Sequence, residues 1–176
     1  MENTSHVLLI HQGVGVKFMH LKDIIKNEKI RKIDNEINIA LERAHNYSKL
    51  ELRKIGCDKY LKKTYLHGAD LTGSSLYYGL YLYFFCKQPI SGFRENVIGL
   101  VFEMDIKNLD NVNIEVSIES VYKIKNKKLN LKDLHKDQAD SFFNDIITMF
   151  ITSINLFIRK ELSMNGVIPK KLILKC

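Results

Sequence analysis

The order of apolar and polar positions predicts strands in the middle of the chain. Residues 74–87 are dense in Tyr, Phe and Leu and have too few spaced polar positions for a surface helix, so they predict a long strand. Residues 97–107 and 112–124 alternate apolar with polar side chains, which is the period of half-buried strands. The Leu-Asp-Asn at 109–111 supplies a turn between them. The three segments together predict an antiparallel meander.

The last third of the chain predicts a long helix that is apolar on two sides. The helix begins near Asp137 or Asp140 and ends at Gly166 and Pro169. Its main stripe consists of Phe143, Ile146, Ile147, Phe150, Ile151, Ile154, Phe157 and Ile158, and its second stripe consists of Phe142, Met149 and Leu156. A helix with two apolar sides needs two apolar neighbours. We therefore expect the main stripe to cover the sheet and the second to meet another subunit.

The remaining segments complete an α+β fold. Residues 7–19 predict a bent strand or a pair of short ones. Residues 21–41 fit a helical stripe, but residues 36–41 also alternate as a strand would, so both interpretations stay open. Residues 123–132 read as a Lys-rich polar connector and residues 171–174 as a short closing strand. The expected architecture is an antiparallel sheet of about four strands with a long C-terminal helix packed on it.

Length and composition indicate one folded domain over residues 1–176. With 45% hydrophobic residues in 176, the chain can bury one substantial core. Cys57, Cys86 and Cys176 form no CxxC pair, so neither a disulfide framework nor a thiolate zinc site is supported, and we expect no cofactor. The first residues lack the pattern of a signal peptide, and polar residues interrupt the apolar stretch 142–158. We expect a cytoplasmic protein with no membrane partner.

Two polar patterns offer alternative chemistry. Glu103, Asp105 and Lys107 share one face of a predicted strand, as in the acid-x-Lys strand of metal-dependent nucleases, with Asp70 as a further acid. The competing interpretation, which we favour, is that these residues form the solvent-exposed face of an amphipathic strand. His67 and Gly68 read as a loop leading into a strand. The lysines at 123–132 and the net charge of +7 could serve phosphate contacts, but a solvated connector explains them, and we expect no nucleic-acid partner.

Aromatic side chains supply the main functional signal. Tyr77, Tyr81, Tyr83 and Phe85 lie on the face of the predicted strand 74–87 opposite its Leu-rich core face. Tyrosine combines apolar area with a polar tip, which suits interfaces. These residues, with Phe142 and Met149 of the second helix stripe at a groove or subunit contact, are the predicted binding residues. This excess of aromatic and apolar side chains favours a binding protein over an enzyme.

The order of elements in residues 76–174 resembles the SecB-type protein chaperones. The residues 121–124 (Val-Tyr-Lys-Ile) are similar to that family's aromatic strand end, and 156–159 (Leu-Phe-Ile-Arg) to its aromatic-x-Arg segment on the long helix. Residues 166–169 (Gly-Val-Ile-Pro), followed by Leu172 and Leu174, resemble its Gly-x-x-Pro stop and apolar finish. Residues 1–66 carry no such match.

The resemblance implies an ATP-independent chaperone that binds an unfolded or labile client and forms a homo-oligomer, either a dimer or a tetramer. Export members of the family are acidic, whereas this chain carries +7, which favours the SecB-like chaperones of toxin–antitoxin–chaperone systems, a setting that includes phage defence. The expected client is then an antitoxin. The alternative is an immunity-type inhibitor that binds a folded toxin through Glu103, Asp105, Glu115 and Glu119.

Overall fold

The computed structural model describes residues 7–11, 16–20, 24, 26–85, 96–107, 112–120, 124–130 and 136–162. Two short strands and a long helix come first: β1 (Val7–His11), β2 (Val16–His20) and α1 (Glu28–Lys54). After a 3-10 turn (Asp58–Tyr60) there follow β3 (Leu61–Thr72), β4 (Ser75–Phe84), β5 (Asn96–Asp105), β6 (Asn113–Ser120) and β7 (Ile124–Asn130). The helix α2 (Lys136–Phe157) continues as a π-helical turn (Ile158–Leu162).

The strands β3 to β7 form one antiparallel meander in chain order, and β1 pairs with β2 in a separate hairpin. This confirms the α+β class, the meander and the pair of short strands near the start of the chain. Strand β1 contacts β3 without joining the larger sheet. The larger sheet has five strands, two of which, β3 and β7, the sequence analysis did not predict.

Both unpredicted strands correct an expectation of loop. The Lys-rich segment forms β7 at the edge of the described sheet, where lysine is a common edge residue because it discourages pairing with other chains. His67 and Gly68 lie inside β3, where the register shifts between His67 and Asp70 and so absorbs the irregular backbone. The helix stop at 166–169 and the closing strand at 171–174 fall outside the described residues.

Segment 28–54 is a helix with defined ends. The Asn27 side chain caps its start, because Oδ1 accepts from the backbone N–H groups of Lys29 and Ile30 at 3.0 and 3.3 Å. At the other end Gly56 takes φ of +70°, and the N–H of Cys57 donates to the Leu52 carbonyl at 2.8 Å, which closes a Schellman motif. The strand-like alternation of residues 36–41 is misleading, since Ile39 is 50% exposed on the outer side of the helix.

The two helices pack side by side on one face of the sheet, which we call the inner face. Helix α1 lies over β3 and β4, and α2 lies over β5 and β6. The hydroxyl of Tyr78, fully buried on β4, donates to Asp34 Oδ1 of α1 at 2.9 Å. Between the helices, Arg43 Nη2 donates to Asn144 Oδ1 at 2.7 Å and Asn155 Nδ2 to Glu51 Oε1 at 3.1 Å. These contacts join the helices and the sheet around one core.

Helix α2 uses its apolar sides differently from the prediction. It begins at Lys136, so Asp137 and Asp140 lie in its first turns and not at its cap. Phe142 is only 6% exposed and packs edge-on against Phe143 at 5.4 Å between ring centroids. Phe142 is therefore a core residue, whereas Met149 is half-buried and Leu156 is 41% exposed on the same flank. Helix α1 lies beside the opposite flank of α2, which carries Asn144 and Asn155.

Helix α2 also contains the one described segment that is long and apolar enough to cross a membrane, Ala139–Lys160. Half of that window is buried inside the fold, and its apolar stripe faces the sheet and α1. This is the arrangement of a core helix in a small soluble-type α+β domain.

Candidate functional site

The side of the sheet opposite the helices, which we call the outer face, carries half-exposed side chains. The inner positions of β4, β5 and β6 are all buried, whereas the side chains larger than Gly or Ser that point outward from these strands are partly or well exposed. The outer face of the described strands β3 to β6 includes Lys63, Tyr65, His67, Asp70, Thr72, Tyr77, Tyr81, Tyr83, Val97, Val101, Glu103, Asp105, Asn113, Glu115, Ser117 and Glu119.

Aromatic rings form a continuous cluster at one end of this face. Tyr65 of β3 stands directly across from Tyr81 of β4, with ring centroids 6.5 Å apart, and Tyr81 lies 6.5 Å from Tyr83. The His67 ring stacks on Tyr65 at 6.0 Å, and Lys63 Nζ lies 4.5 Å from the centre of the Tyr83 ring, within cation–π range. We call these five residues the aromatic cluster.

Two glycines hold the central ring of this cluster flat against the sheet. Gly79 precedes Tyr81 by two residues on the same face, and Gly99 is its cross-strand partner on β5. A Cβ at Gly79 would lie 2.5 Å from Tyr81 Cε2, and one at Gly99 would lie 2.7 Å from Tyr81 Cδ1. The ring therefore occupies the space above both glycines, and any side chain there would force it to lift away.

Carboxylates occupy the part of the outer face next to the aromatic cluster. Glu103 of β5 and Glu115 of β6 are direct cross-strand partners, an arrangement of like charges that costs stability unless cations or donors are near. Ser75 Oγ donates to Glu103 Oε1 at 2.8 Å, and Ser117 Oγ donates to Glu119 Oε1 at 3.2 Å. The outer face thus combines an aromatic region with an acidic region.

Tyr77 and Tyr81 are neutral hydrogen-bonding groups. Burial raises the pKa of the Tyr77 phenol above its ordinary value, and its hydrogen bond with Glu103 raises it further. Burial also raises the pKa of Tyr81, with a smaller contribution from the Glu119 carboxylate. Both phenols therefore keep their protons near neutral pH. The two side chains can supply apolar ring surface and O–H donors.

The acid-x-Lys pattern is not laid out as the sequence suggested. Strand β5 ends at Asp105, and the backbone N–H of Lys107 donates to Asp105 Oδ1 at 3.0 Å, so Lys107 lies beyond the strand. Tyr77 of β4 is the cross-strand partner of both Asp70 on β3 and Glu103 on β5. The two acids therefore lie on strands ~10 Å apart. Among the described residues no group of three or more His, Cys, Asp or Glu side chains is placed to hold a metal ion.

The predicted binding residues fall on two sides of the sheet. Tyr77, Tyr81 and Tyr83 lie together on the outer face, as their alternation along β4 predicted. Phe85 follows the strand and is 52% exposed, with its backbone N–H donating to the Tyr60 carbonyl at 3.0 Å. Phe142 and the half-buried Met149 belong to the helix layer on the inner face. The structure does not bring them near the tyrosines.

Sequence reasoning missed the part of the aromatic cluster that β3 contributes, namely Lys63, Tyr65 and His67. Tyr65 is 52% exposed and stands in the middle of the cluster. A signal was present in the two residues Gly73 and Ser74, which join two β-rich runs as a tight hairpin turn does, and Gly73 takes φ of +60°. Reading that turn would have placed a partner strand before β4.

No family model, curated protein or solved structure matches this chain.

Proposed function

We propose that this chain is an ATP-independent polypeptide-binding protein of the SecB-like chaperone type, acting in the cytoplasm on extended segments of an unfolded client. The main support for this proposal is the aromatic cluster on the outer face of the sheet, because both described helices pack on the inner face. A face of this kind offers apolar rings and phenol donors to a polypeptide.

The spacing of the cluster suits an extended peptide. Side chains on one side of an extended chain repeat at ~6.6 Å. Tyr81 and Tyr83 are 6.5 Å apart along β4, and Tyr65 and Tyr81 are 6.5 Å apart across β3 and β4. An extended client segment could therefore place two alternate apolar side chains against either pair of rings. Among the described strands β3 forms sheet pairing with β4 alone, so it could add backbone hydrogen bonds to a client at the parts of its other edge that β1 leaves open.

The acidic region favours a client of particular composition. Glu103, Glu115 and Glu119 lie on the same face as the rings, so Lys or Arg residues beside the client's apolar residues would be attracted there and phosphate groups repelled. This argues for a polypeptide over a nucleic acid, in spite of the net charge of +7. An antitoxin segment mixing apolar and basic residues is the client that the resemblance to toxin–antitoxin–chaperone systems suggests.

Binding to a permanently unfolded polypeptide tests this proposal. Reduced, carboxymethylated α-lactalbumin carrying a fluorophore serves as the probe, and fluorescence anisotropy gives the dissociation constant. The double variant Tyr65→Ser with Tyr83→Ser removes one exposed and one half-exposed ring. Each is worth ~0.5–1.5 kcal/mol in an aromatic contact, so we expect binding at least about fivefold weaker. Tyr81 is kept, because its ring packs on two glycines and its loss would also lower stability.

Leu156→Ser is the matched control, since Leu156 is 41% exposed on α2, on the other side of the sheet. It should leave the dissociation constant unchanged. If the unaltered protein does not bind the probe, or if the tyrosine variant and the control bind equally, the outer face is not a client site. Failure to bind the unfolded probe together with a tight one-to-one complex with a folded toxin would instead support the immunity-type alternative.

A further inference from the structure

A second surface lies on the helix layer, along the solvent side of α1. Three of its apolar side chains are unusually exposed there, namely Ile39 at 50%, Tyr47 at 48% and Leu50 at 59%. They follow one another at helical spacing together with charged residues, and the full row, which we call the α1 stripe, is Glu36, Ile39, Arg43, Tyr47, Leu50 and Lys54. Surface helices ordinarily place polar residues at such positions.

The α1 stripe borders an open groove between the two helices. The groove has a volume of about 520 Å³, and Ile147 and Ile151 of α2 line it opposite Tyr47 and Leu50. The exposed row adjoins the groove, whose lining also includes the polar residues Asn144, Thr148 and Thr152. A helix from another molecule could lie along it and cover both.

The charges along the α1 stripe are complementary to those of a second α1 stripe that runs in the opposite direction. An antiparallel copy of α1, related by a two-fold axis passing near residue 45, would place each residue opposite the residue equally far on the other side of that axis. Glu36 then meets Lys54 of the second copy, and Arg43 meets the ring of Tyr47. Ile39 meets Leu50 within one residue. Because the axis is two-fold, each of these contacts occurs twice.

The same charges disfavour other self-arrangements. A parallel pair would place Arg43 against Arg43, Lys54 against Lys54 and Glu36 against Glu36, which are like-charge contacts. Glu36 and Lys54 are separated by ~27 Å along the helix, so the two ion pairs would close the two ends of a long contact. Lys54 Nζ lies 3.8 Å from Glu51 Oε2 of its own helix, and the Lys54 side chain is 77% exposed.

We propose that the α1 stripe is a self-association surface, through which two copies of this chain pair with their α1 helices antiparallel. The inference does not depend on the proposed client binding, because it concerns the opposite side of the sheet. It also differs from the expected contact through Phe142 and Met149. Each copy would cover the groove beside the other's α1.

Sedimentation equilibrium of the full chain tests the pairing. The unaltered protein should give twice the protomer mass of 20.5 kDa, and Leu50→Glu should give a monomer, because it places a charge against Ile39 of the second copy. Leu50 is 59% exposed, so the substitution should leave the far-ultraviolet circular dichroism unchanged. A monomeric unaltered protein at ~100 µM, or a Leu50→Glu variant that remains a dimer, would overturn the proposal.

A charge swap tests the antiparallel register. Glu36→Lys and Lys54→Glu should each weaken the dimer by about tenfold, because each turns two attractive contacts into repulsive ones, and the double variant should recover most of that loss. Lys49→Glu is the matched control, since it makes the same charge change elsewhere on α1. If the double variant is as weak as the product of the single ones, the two residues do not meet across the interface and the register is wrong.

Discussion

Replacing Gly99, the cross-strand partner of Tyr81, should lower the stability of the fold. Gly99 has an ordinary strand conformation, so alanine there should by itself stabilise β5 by ~0.5–1 kcal/mol. Its Cβ, however, would lie 2.7 and 2.8 Å from Cδ1 and Cε1 of the Tyr81 ring. These two atoms belong to the side of the ring that faces Gly99. The Tyr81 side chain can therefore avoid the new Cβ only by swinging away from the sheet.

The cost of that movement can be estimated from what the ring covers. Lifting it would expose on the order of 60 Å² of ring and glycine surface, worth ~1.5 kcal/mol at ~25 cal/mol per Å². The contacts with Tyr65 and Tyr83, at 6.5 Å each, would be weakened as well, by ~0.5–1 kcal/mol together. After the intrinsic gain of alanine is subtracted, Gly99→Ala should lower the free energy of unfolding by ~1–2 kcal/mol.

The double variant separates this cause from others. In a Tyr81→Ser background the ring is absent, so Gly99→Ala should change from destabilising to stabilising by ~0.5–1 kcal/mol. Urea unfolding followed by circular dichroism gives the four free energies of the cycle. Gly68→Ala is the control, because a Cβ at Gly68 meets no atom within 4 Å. A coupling energy under ~0.5 kcal/mol between Gly99 and Tyr81 would show that the glycines do not hold the ring.

Two further predictions concern the contacts of α1 with the sheet. Tyr78→Phe removes a fully buried hydroxyl that donates to the Asp34 carboxylate, so urea unfolding should show a loss of ~1–2 kcal/mol, and the same change in an Asp34→Ala background should cost clearly less. Burial, with Lys49 nearby, holds the pKa of His45 below its ordinary value of 6.5. The unfolded chain therefore takes up this proton first as the pH falls, and the stability that His45 contributes is present above 6.5 and lost as the pH falls through the folded-state pKa. Unfolding measured at about pH 7 and about pH 5 should show a smaller loss for His45→Gln than for the unaltered protein, and equal losses would contradict the assignment.

Much of the fold follows from periodicity, and the exceptions have identifiable causes. Strands β4, β5 and β6 alternate cleanly because one of their faces is buried and the other is not. Strand β3 shows no such contrast, since all ten of its residues before Leu71 are partly or fully exposed. A register shift also interrupts its alternation. Strand β7 is rich in lysine, which sequence reasoning assigns to loops more readily than to an edge.

The use of the flanks of α2 could not be predicted while the interpretation of residues 21–41 was open. A helix with two apolar sides requires two neighbours. Helix α1 lies beside α2 on the flank of Asn144 and Asn155, which Arg43 and Glu51 contact. Phe142 lies on the opposite flank and is buried against the ring of Phe143. No local pattern shows which flank α1 takes, because the contacts join residues about a hundred positions apart.

The positions of the two proposed surfaces have a joint consequence. The aromatic cluster lies on the outer face, and the α1 stripe lies on the helix layer that covers the inner face. A dimer formed through α1 would therefore bury neither aromatic cluster and would direct the two outer faces away from the two-fold axis. A long unfolded client could contact both, and the second contact would then be intramolecular, which raises the overall affinity without any new side-chain contact. A short client would gain nothing from dimerisation. The dependence of affinity on client length thus follows from the arrangement of the layers, because the helices cover only one side of the sheet.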